Sequence, residues 1–180
     1  LRMSPGESIV ETYRAREFEV IAAMKGVVPV PGVRWVDSDG SFFGNSALIC
    51  DVVSGVAKPT TKHGDGGQVS GIGAGFPQRL RETLFPEFVD HLATIHNFNW
   101  KAAALPSFDI PSAGSTDAAA LALHHWSRVW EEDSFEEHPV ITLARRWLTD
   151  HLPAVDEICL IHNDYRSGNF LFDEARGAIT

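Results

Sequence analysis

The residues best suited to chemistry lie near the end of the chain, in a polar loop between two apolar runs. This loop spaces His162, Asp164 and Asn169 as His, one residue, Asp, four residues, Asn. A hydroxyl group that accepts a phosphoryl group needs a carboxylate beside its proton, and the phosphate oxygens need a divalent cation. An Asp and an Asn on one tight loop can meet both needs. The alternative is a strand–turn–strand in which the same side chains only cap the turn.

The elements predicted around this loop are short strands and amphipathic helices. Residues 158–161 are typical of a short buried strand, and 169–173 alternate toward a second one. Three stretches earlier in the chain have apolar faces that predict core-forming helices: 85–98, 117–132 and 138–152.

The first third of the chain predicts one helix beside several strands. Residues 1–3 resemble the end of a strand, and 8–25 carry a helical pattern that Gly26 and a Val-Pro-Val-Pro run would end. Two further strands are predicted at 33–37 and 46–53, joined by a turn.

With Asn163 in its middle, the loop resembles that of the aminoglycoside phosphotransferase and choline kinase-like family. That loop reads H-G-D or H-N-D followed by x-x-x-x-N, a variant of the protein kinase catalytic loop. The resemblance implies that Asp164 is the catalytic base and Asn169 a magnesium ligand. His162 would be the structural residue that holds the loop. Arg166 lies two residues past Asp164, where many kinases keep a Lys near the transferring phosphate.

A second resemblance concerns the helix near the start of the chain. Residues 16–31 resemble the small-lobe helix of the family and its exit. Glu17 then matches the glutamate that pairs with a strand lysine holding the nucleotide phosphates, and the lysine position is Arg2. We therefore predict that Arg2 and Glu17 approach within about 4 Å. The alternative for Glu17 is a solvated helix carboxylate.

The strand predicted at 46–53 resembles the hinge strand of the family, because Ser54 and Gly55 follow it. The resemblance places the adenine edge of ATP against the main chain of Asp51 and Val53. The Asp164 loop would face this stretch across a cleft.

Taken together, the resemblance implies a protein kinase-like α+β fold with two lobes. Residues 1–54 would form a partial, β-containing nucleotide lobe with the hinge, and 55–180 a mainly helical lobe with the catalytic loop. The implied activity transfers the γ-phosphoryl group of ATP, with Mg²⁺, to a hydroxyl of a small molecule. The nearest branch is the one often found with acyl-CoA dehydrogenases. Neither the nucleotide-loop strands nor the second metal-binding Asp is present, so we expect a fragment truncated at both ends and nearly inactive alone.

Composition narrows the possible partners. The chain of 180 residues is 44% apolar and 22% charged, as in ordinary globular proteins. A net charge of −9 argues against a nucleic-acid or anionic-membrane surface, and no apolar run approaches the ~20 residues of a membrane span. Cys50 and Cys159 lie in apolar runs without metal or redox spacing. We predict that they are unbridged core thiols of a cytoplasmic protein.

Two other function classes remain open. A pseudokinase or binding module would keep the fold without chemistry. Intact Asp164 and Asn169 argue against this class, whereas Arg2 in place of Lys leaves it open. A metal-dependent hydrolase would use His162 and Asp164 as ligands, but the other histidines lack metal-binding spacing. The phosphoryl acceptor and the oligomeric state are not indicated by the sequence.

Overall fold

The computed structural model of the protein describes residues 1–4, 13–60 and 75–180. It mixes helices and strands, as the α+β prediction requires. In chain order the elements are β1 (Arg2–Met3), α1 (Arg14–Met24), β2 (Val33–Asp37), β3 (Ala47–Cys50), α2 (Gln78–His96), a 3₁₀ turn (Trp100–Ala102), α3 (Asp117–Asp133), α4 (Pro139–Asp150), β4 (Phe172–Asp173) and β5 (Ala178–Ile179).

The first sheet is antiparallel, with the strand order β1-β3-β2. The connection from β2 to β3 is organised by the carboxylate of Asp37, which is buried. This carboxylate accepts the backbone N–H groups of Phe42 and Phe43 at 2.9 and 3.0 Å. Gly40 has a φ of +75° in the same loop, which a residue with a Cβ adopts only with strain. Local turn chemistry therefore favours the pairing of β2 with β3, and β1 pairs with the other edge of β3, which becomes the central strand.

Helix α1 packs against β2 and β3. Its last residue, Met24, is buried, and Gly26 just beyond it has a left-handed φ of +82°. Lys25, with a ψ of 119°, already leaves the helical conformation, and Gly26 completes the turn in which the N–H of Val27 donates to the carbonyl of Met24. The predicted glycine exit is therefore confirmed as a turn just after the helix. The predicted beginning of the helix falls on residues 5–12, which lie outside the described residues.

Helix α2 packs on the two-stranded hairpin β4–β5. Its buried residues Leu80 and Leu84 form a core cluster with Phe172 of β4. The helix begins seven residues before the predicted 85 and runs through Pro86. An internal proline costs about 3 kcal/mol. Burial of each leucine returns about 1.5–3 kcal/mol, so the longer helix is favoured.

The strand predicted at 158–161 does not form, and no described strand pairs with it. An apolar run becomes a strand only where a neighbour offers free backbone groups. Here the indole N–H of Trp100 instead donates to the carbonyl of Ile158 at 2.8 Å, and Ile161 is exposed. Cys159 is exposed too, so its prediction as a core thiol is wrong. Both cysteines are free, which confirms that no disulfide joins them.

Helices α3 and α4 form close to their predicted limits but pack mainly on each other. None of their residues is buried, and Trp126 and Trp147 are more than half exposed. The predicted core faces of these helices therefore remain open in the described part of the chain. No described helix has the length and apolar character needed to cross a bilayer.

Candidate active site

The polar loop turns sharply at Asn163, the one described residue other than glycine with a positive φ, at 63°. The N–H of Asp164 then donates to the carbonyl of His162 at 2.8 Å, and the N–H of Asn169 to the carbonyl of Arg166 at 3.0 Å. Asn and Gly are the residues that enter the left-handed region most readily. The backbone therefore accounts for the Asn or Gly between His and Asp in this kind of loop.

The turn brings Asp164, Arg166 and Asn169 together. Arg166 Nε donates to Asp164 Oδ1 at 2.9 Å, and Asn169 Nδ2 donates to Asp164 Oδ2 at 2.6 Å. Asn169 Nδ2 also donates to the Asp164 carbonyl at 2.9 Å. These bonds hold the pKa of Asp164 below its ordinary value of 3.8, the one from Asn169 most and the one from Arg166 next. Asp164 is therefore an oriented carboxylate at neutral pH.

The orientation of Asn169 leaves an oxygen for a cation. Both of its partners on Asp164 only accept hydrogen bonds, so its NH₂ group must face them. Its Oδ1 accepts no hydrogen bond from the described residues. Mg²⁺ takes oxygen ligands and is commonly held by one or two protein groups together with substrate phosphates. Asn169 fits that pattern with Asp164 nearby, although the described residues contain no group of three His, Cys, Asp or Glu that could hold a metal alone.

The loop is anchored by Tyr165, a residue that the sequence analysis did not single out. Its hydroxyl donates to the carbonyl of Phe88 at 2.6 Å, and its ring stacks on that of Phe88 with centroids 4.1 Å apart. Burial raises the pKa of Tyr165, as does the charge of Glu87. The exposed ring of His162 makes an edge contact with Tyr165 at 5.3 Å and no hydrogen bond to the described residues. The aromatic residue directly after Asp164 is the feature of the sequence that could have indicated this anchor.

Arg2 and Glu17 form the predicted contact, with Arg2 Nη1 2.5 Å from Glu17 Oε1. Arg14, which no sequence pattern indicated, also contacts Glu17, because its Nη1 donates to the other carboxylate oxygen, Oε2. Glu17 therefore lies between two guanidinium groups rather than facing solvent.

The stretch after β3 leaves main-chain groups open where the hinge contacts were predicted. The carboxylate of Asp51 accepts two hydrogen bonds from Arg34, both 2.8 Å long. This hydrogen bonding is the main cause that lowers the pKa of Asp51. The Asp51 N–H donates to the carbonyl of Gly32 at 2.7 Å. The Asp51 carbonyl and the Val53 N–H have no hydrogen-bond partner among the described residues.

The same stretch is fixed to the hairpin that follows the polar loop. Val56 and Phe172 exchange backbone hydrogen bonds of 3.0 and 3.1 Å, and the Thr180 hydroxyl donates to the carbonyl of Ser54 at 2.8 Å. A Cβ on Gly55 would lie 2.9 Å from Thr180 Oγ1, and its φ is +143°, so this close approach requires glycine. No described hydrogen bond or ion pair joins the Asp164 group to Arg2 and Glu17.

An apolar groove of about 420 Å³ lies between the first half of α2 and the loop. Its lining includes Phe85, Phe88, Ser167 and Phe170 but none of the predicted site residues. We therefore place the candidate site at the Asp164 group and not in this groove.

Replacing Asn163 tests the left-handed turn. Asn163→Val should destabilise the protein by about 1–2 kcal/mol, because a β-branched residue is strained at positive φ. Asn163→Gly should keep the stability within about 0.5 kcal/mol. Chemical denaturation of both variants measures the difference. Equal stabilities of the Val and Gly variants would show that the turn does not need this backbone conformation.

A solved structure of similar fold identifies the architecture first. The crystal structure of a protein from Ralstonia eutropha JMP134, assigned as an aminoglycoside phosphotransferase, superposes on this chain with a TM-score of 0.63 and 22% sequence identity. The match covers 91% of this chain and 46% of the Ralstonia chain. The fold is therefore that of a kinase-like phosphotransferase.

The family follows from the sequence as a whole. The model of the phosphotransferase enzyme family matches residues 1–180, and the chain belongs to that family. It is also 22% identical over 182 aligned residues to acyl-CoA dehydrogenase family member 10 of Mus musculus. That alignment covers 99% of this chain but 16% of the mouse protein, so the chain spans less than half the length of each relative.

Proposed function

We propose that this chain carries the catalytic loop of a small-molecule kinase that moves the γ-phosphoryl group of ATP to a hydroxyl. The observation that carries the proposal is the Asp164 group, in which one carboxylate is held by Arg166 and Asn169 on a single turn. A lowered pKa keeps the carboxylate ionised, and its exposure leaves it open to a substrate hydroxyl. General-base catalysis needs such a group within hydrogen-bond reach of the proton it accepts.

Asp164 orients the acceptor hydroxyl and takes its proton as the bond to the γ-phosphorus forms and the bond from that phosphorus to the leaving ADP oxygen breaks. Arg166 uses Nε on Asp164, so its two terminal nitrogens are the part of the guanidinium that can face the transferring phosphate. Asn169 Oδ1 is the group that would hold Mg²⁺, which when bound neutralises charge on the phosphate oxygens. The carbonyl of His162 supports the loop by accepting the N–H of Asp164, with Asn163 between the two residues.

The nucleotide is proposed to lie between two groups of contacts. Arg2, paired with Glu17, would neutralise the α- and β-phosphates in place of the usual Lys. The open Asp51 carbonyl and Val53 N–H would receive the adenine edge, which needs one acceptor and one donor from the main chain.

We also propose a lobe organisation and a cellular location for the whole protein. Residues 1–54 would form the nucleotide lobe and hinge, and 55–180 the lobe with the catalytic loop, in a cytoplasmic protein. Because the chain spans 46% of its solved relative, these statements concern the whole protein. A pseudokinase is the second candidate, since Arg2 stands where the family keeps Lys.

Incubation of the whole protein with ATP, Mg²⁺ and a panel of aminoglycosides, amino alcohols, sugars and hydroxy acids tests the function. We expect ADP release that requires one class of acceptor, and an acceptor that gains one phosphoryl group by mass spectrometry. MgATP binding without transfer to any acceptor would favour the pseudokinase. A protein that binds no MgATP would contradict both.

A further inference from the structure

The carboxylate of Glu17 is shared between two arginines, one oxygen to each. Arg2 contacts Oε1 from β1, and Arg14 contacts Oε2 from the first turn of α1. Two cations on one anion leave a net charge of +1 in this cluster. A simple structural ion pair would need one arginine, so the second calls for an explanation.

The two arginines differ in their access to solvent. The side chain of Arg14 is 7% exposed and that of Glu17 22%, whereas that of Arg2 is 59% exposed. A buried guanidinium is costly unless it is paired and hydrogen-bonded. Arg14 Nε has no hydrogen-bond partner among the described residues, which adds to that cost. Arg14 is therefore held at an energetic expense that an exposed arginine would avoid.

Arg14 also joins the two elements of the cluster. Its Nη2 donates to the carbonyl of Met3 at 3.1 Å, while its Nη1 reaches Glu17. Met3 directly follows Arg2 in β1. The planar fork of a guanidinium can serve two such acceptors at once, which the single point charge of lysine serves less well. Arg14 thus fixes both the carboxylate and the strand that carries Arg2.

We infer that Arg14 is the positioning residue of the nucleotide-phosphate site, and that Arg2 is the residue that contacts the phosphate. This inference rests on the proposed function. Arg14 keeps Glu17 neutralised when Arg2 turns its remaining donors toward a phosphate, so Arg2 can bind the anion without leaving a partly buried carboxylate unpaired. Arg2 and Arg14 together then do the work of the single lysine of the family.

Binding of MgATP to the whole protein, measured by calorimetry, tests the inference. Arg14→Met should raise the Kd for MgATP by about tenfold or more, since a hydrogen bond to a charged group is worth roughly one to two decades in an equilibrium constant. Arg14→Lys should recover part of the affinity, and it supplies the measurement if Arg14→Met does not fold. Arg16→Lys is the matched control, because Arg16 lies on the same helix but bonds Ser107 and Asp109. Its Kd should stay at the wild-type value.

A double-mutant cycle separates positioning from general damage. Because Arg14 acts through Glu17, adding Arg14→Met to Glu17→Gln should raise the Kd much less than Arg14→Met does alone. Additive effects of the two changes on the Kd would overturn the inference, as would a folded Arg14→Met with wild-type affinity. Either result leaves the proposed function standing. Failure of the wild type to bind MgATP would instead reject the proposed function itself.

Discussion

Asp164→Asn in the whole protein should lower kcat by about 10²–10⁴-fold while the affinity for ATP changes little. The amide keeps the shape of the side chain and can still meet Arg166 or Asn169 through its oxygen, but it cannot take a proton. Steady-state kinetics with the identified acceptor, together with MgATP binding, measure the two quantities separately. An unchanged kcat would show that this loop does not act as proposed.

Asp173→Asn is the matched control for this change. Asp173 lies in the hairpin that follows the loop, and its Oδ1 accepts the N–H groups of Ala175 and Arg176, both at 3.0 Å. The amide oxygen of Asn can accept the same bonds, so kcat should remain near the wild-type value. A loss as large as that of Asp164→Asn would point to damage of the hairpin and not to loss of a base.

The pH dependence of the reaction follows from the same carboxylate. The pKa of Asp164 is depressed below 3.8, so its charged form is lost only as the pH falls through that lowered pKa. The fall in kcat/KM that belongs to Asp164 should therefore lie below pH 3.8 in the wild type. The rate should not titrate through Asp164 between pH 5 and 8. An acidic limb in that window that disappears in Asp164→Asn would contradict the geometry.

Asn169→Ala should raise the Mg²⁺ concentration needed for half-maximal rate by about 10–100-fold, the range typical when groups around a metal site are removed. The change removes the proposed oxygen ligand and both hydrogen bonds to Asp164. Extra Mg²⁺ should restore part of the rate. Titration of Mg²⁺ at saturating ATP and acceptor measures the effect.

The two variants should fail in different ways, and that contrast separates their roles. Extra Mg²⁺ should not rescue Asp164→Asn, whereas it should partly rescue Asn169→Ala. Asn97→Ala is a suitable control, because the Asn97 amide only caps α2 by donating to Ala93 at 2.8 Å. If Asn169→Ala has the Mg²⁺ dependence of the wild type, the assignment of Asn169 to the metal is wrong.

The sequence was sufficient where a feature depends on neighbours along the chain. The glycine exit of α1 and the hairpin from Asp37 to Ala47 were both predicted, and both are set by backbone preferences or by side chains a few residues away. The left-handed turn at Asn163 is set in the same local way, although it was not predicted. The grouping of Asp164 with Asn169 belongs here too, since the loop itself closes their five-residue spacing. The contact of Arg2 with Glu17 was also predicted, but through resemblance to a family and not through local chemistry.

Tertiary structure decided the features that depend on partners far along the chain. Tyr165 anchors its loop on Phe88, and Arg14 ties α1 to β1, yet neither pairing has a local signal. The apolar run at 158–161 has the pattern of a strand, but no described strand pairs with it. The carbonyl of Ile158 instead accepts a hydrogen bond from the indole N–H of Trp100. A strand or an anchoring side chain needs hydrogen-bond and packing partners from distant parts of the chain. The packing of the whole fold decides which partners are within reach. A turn is completed by its own residues, which is why the sequence alone determines it.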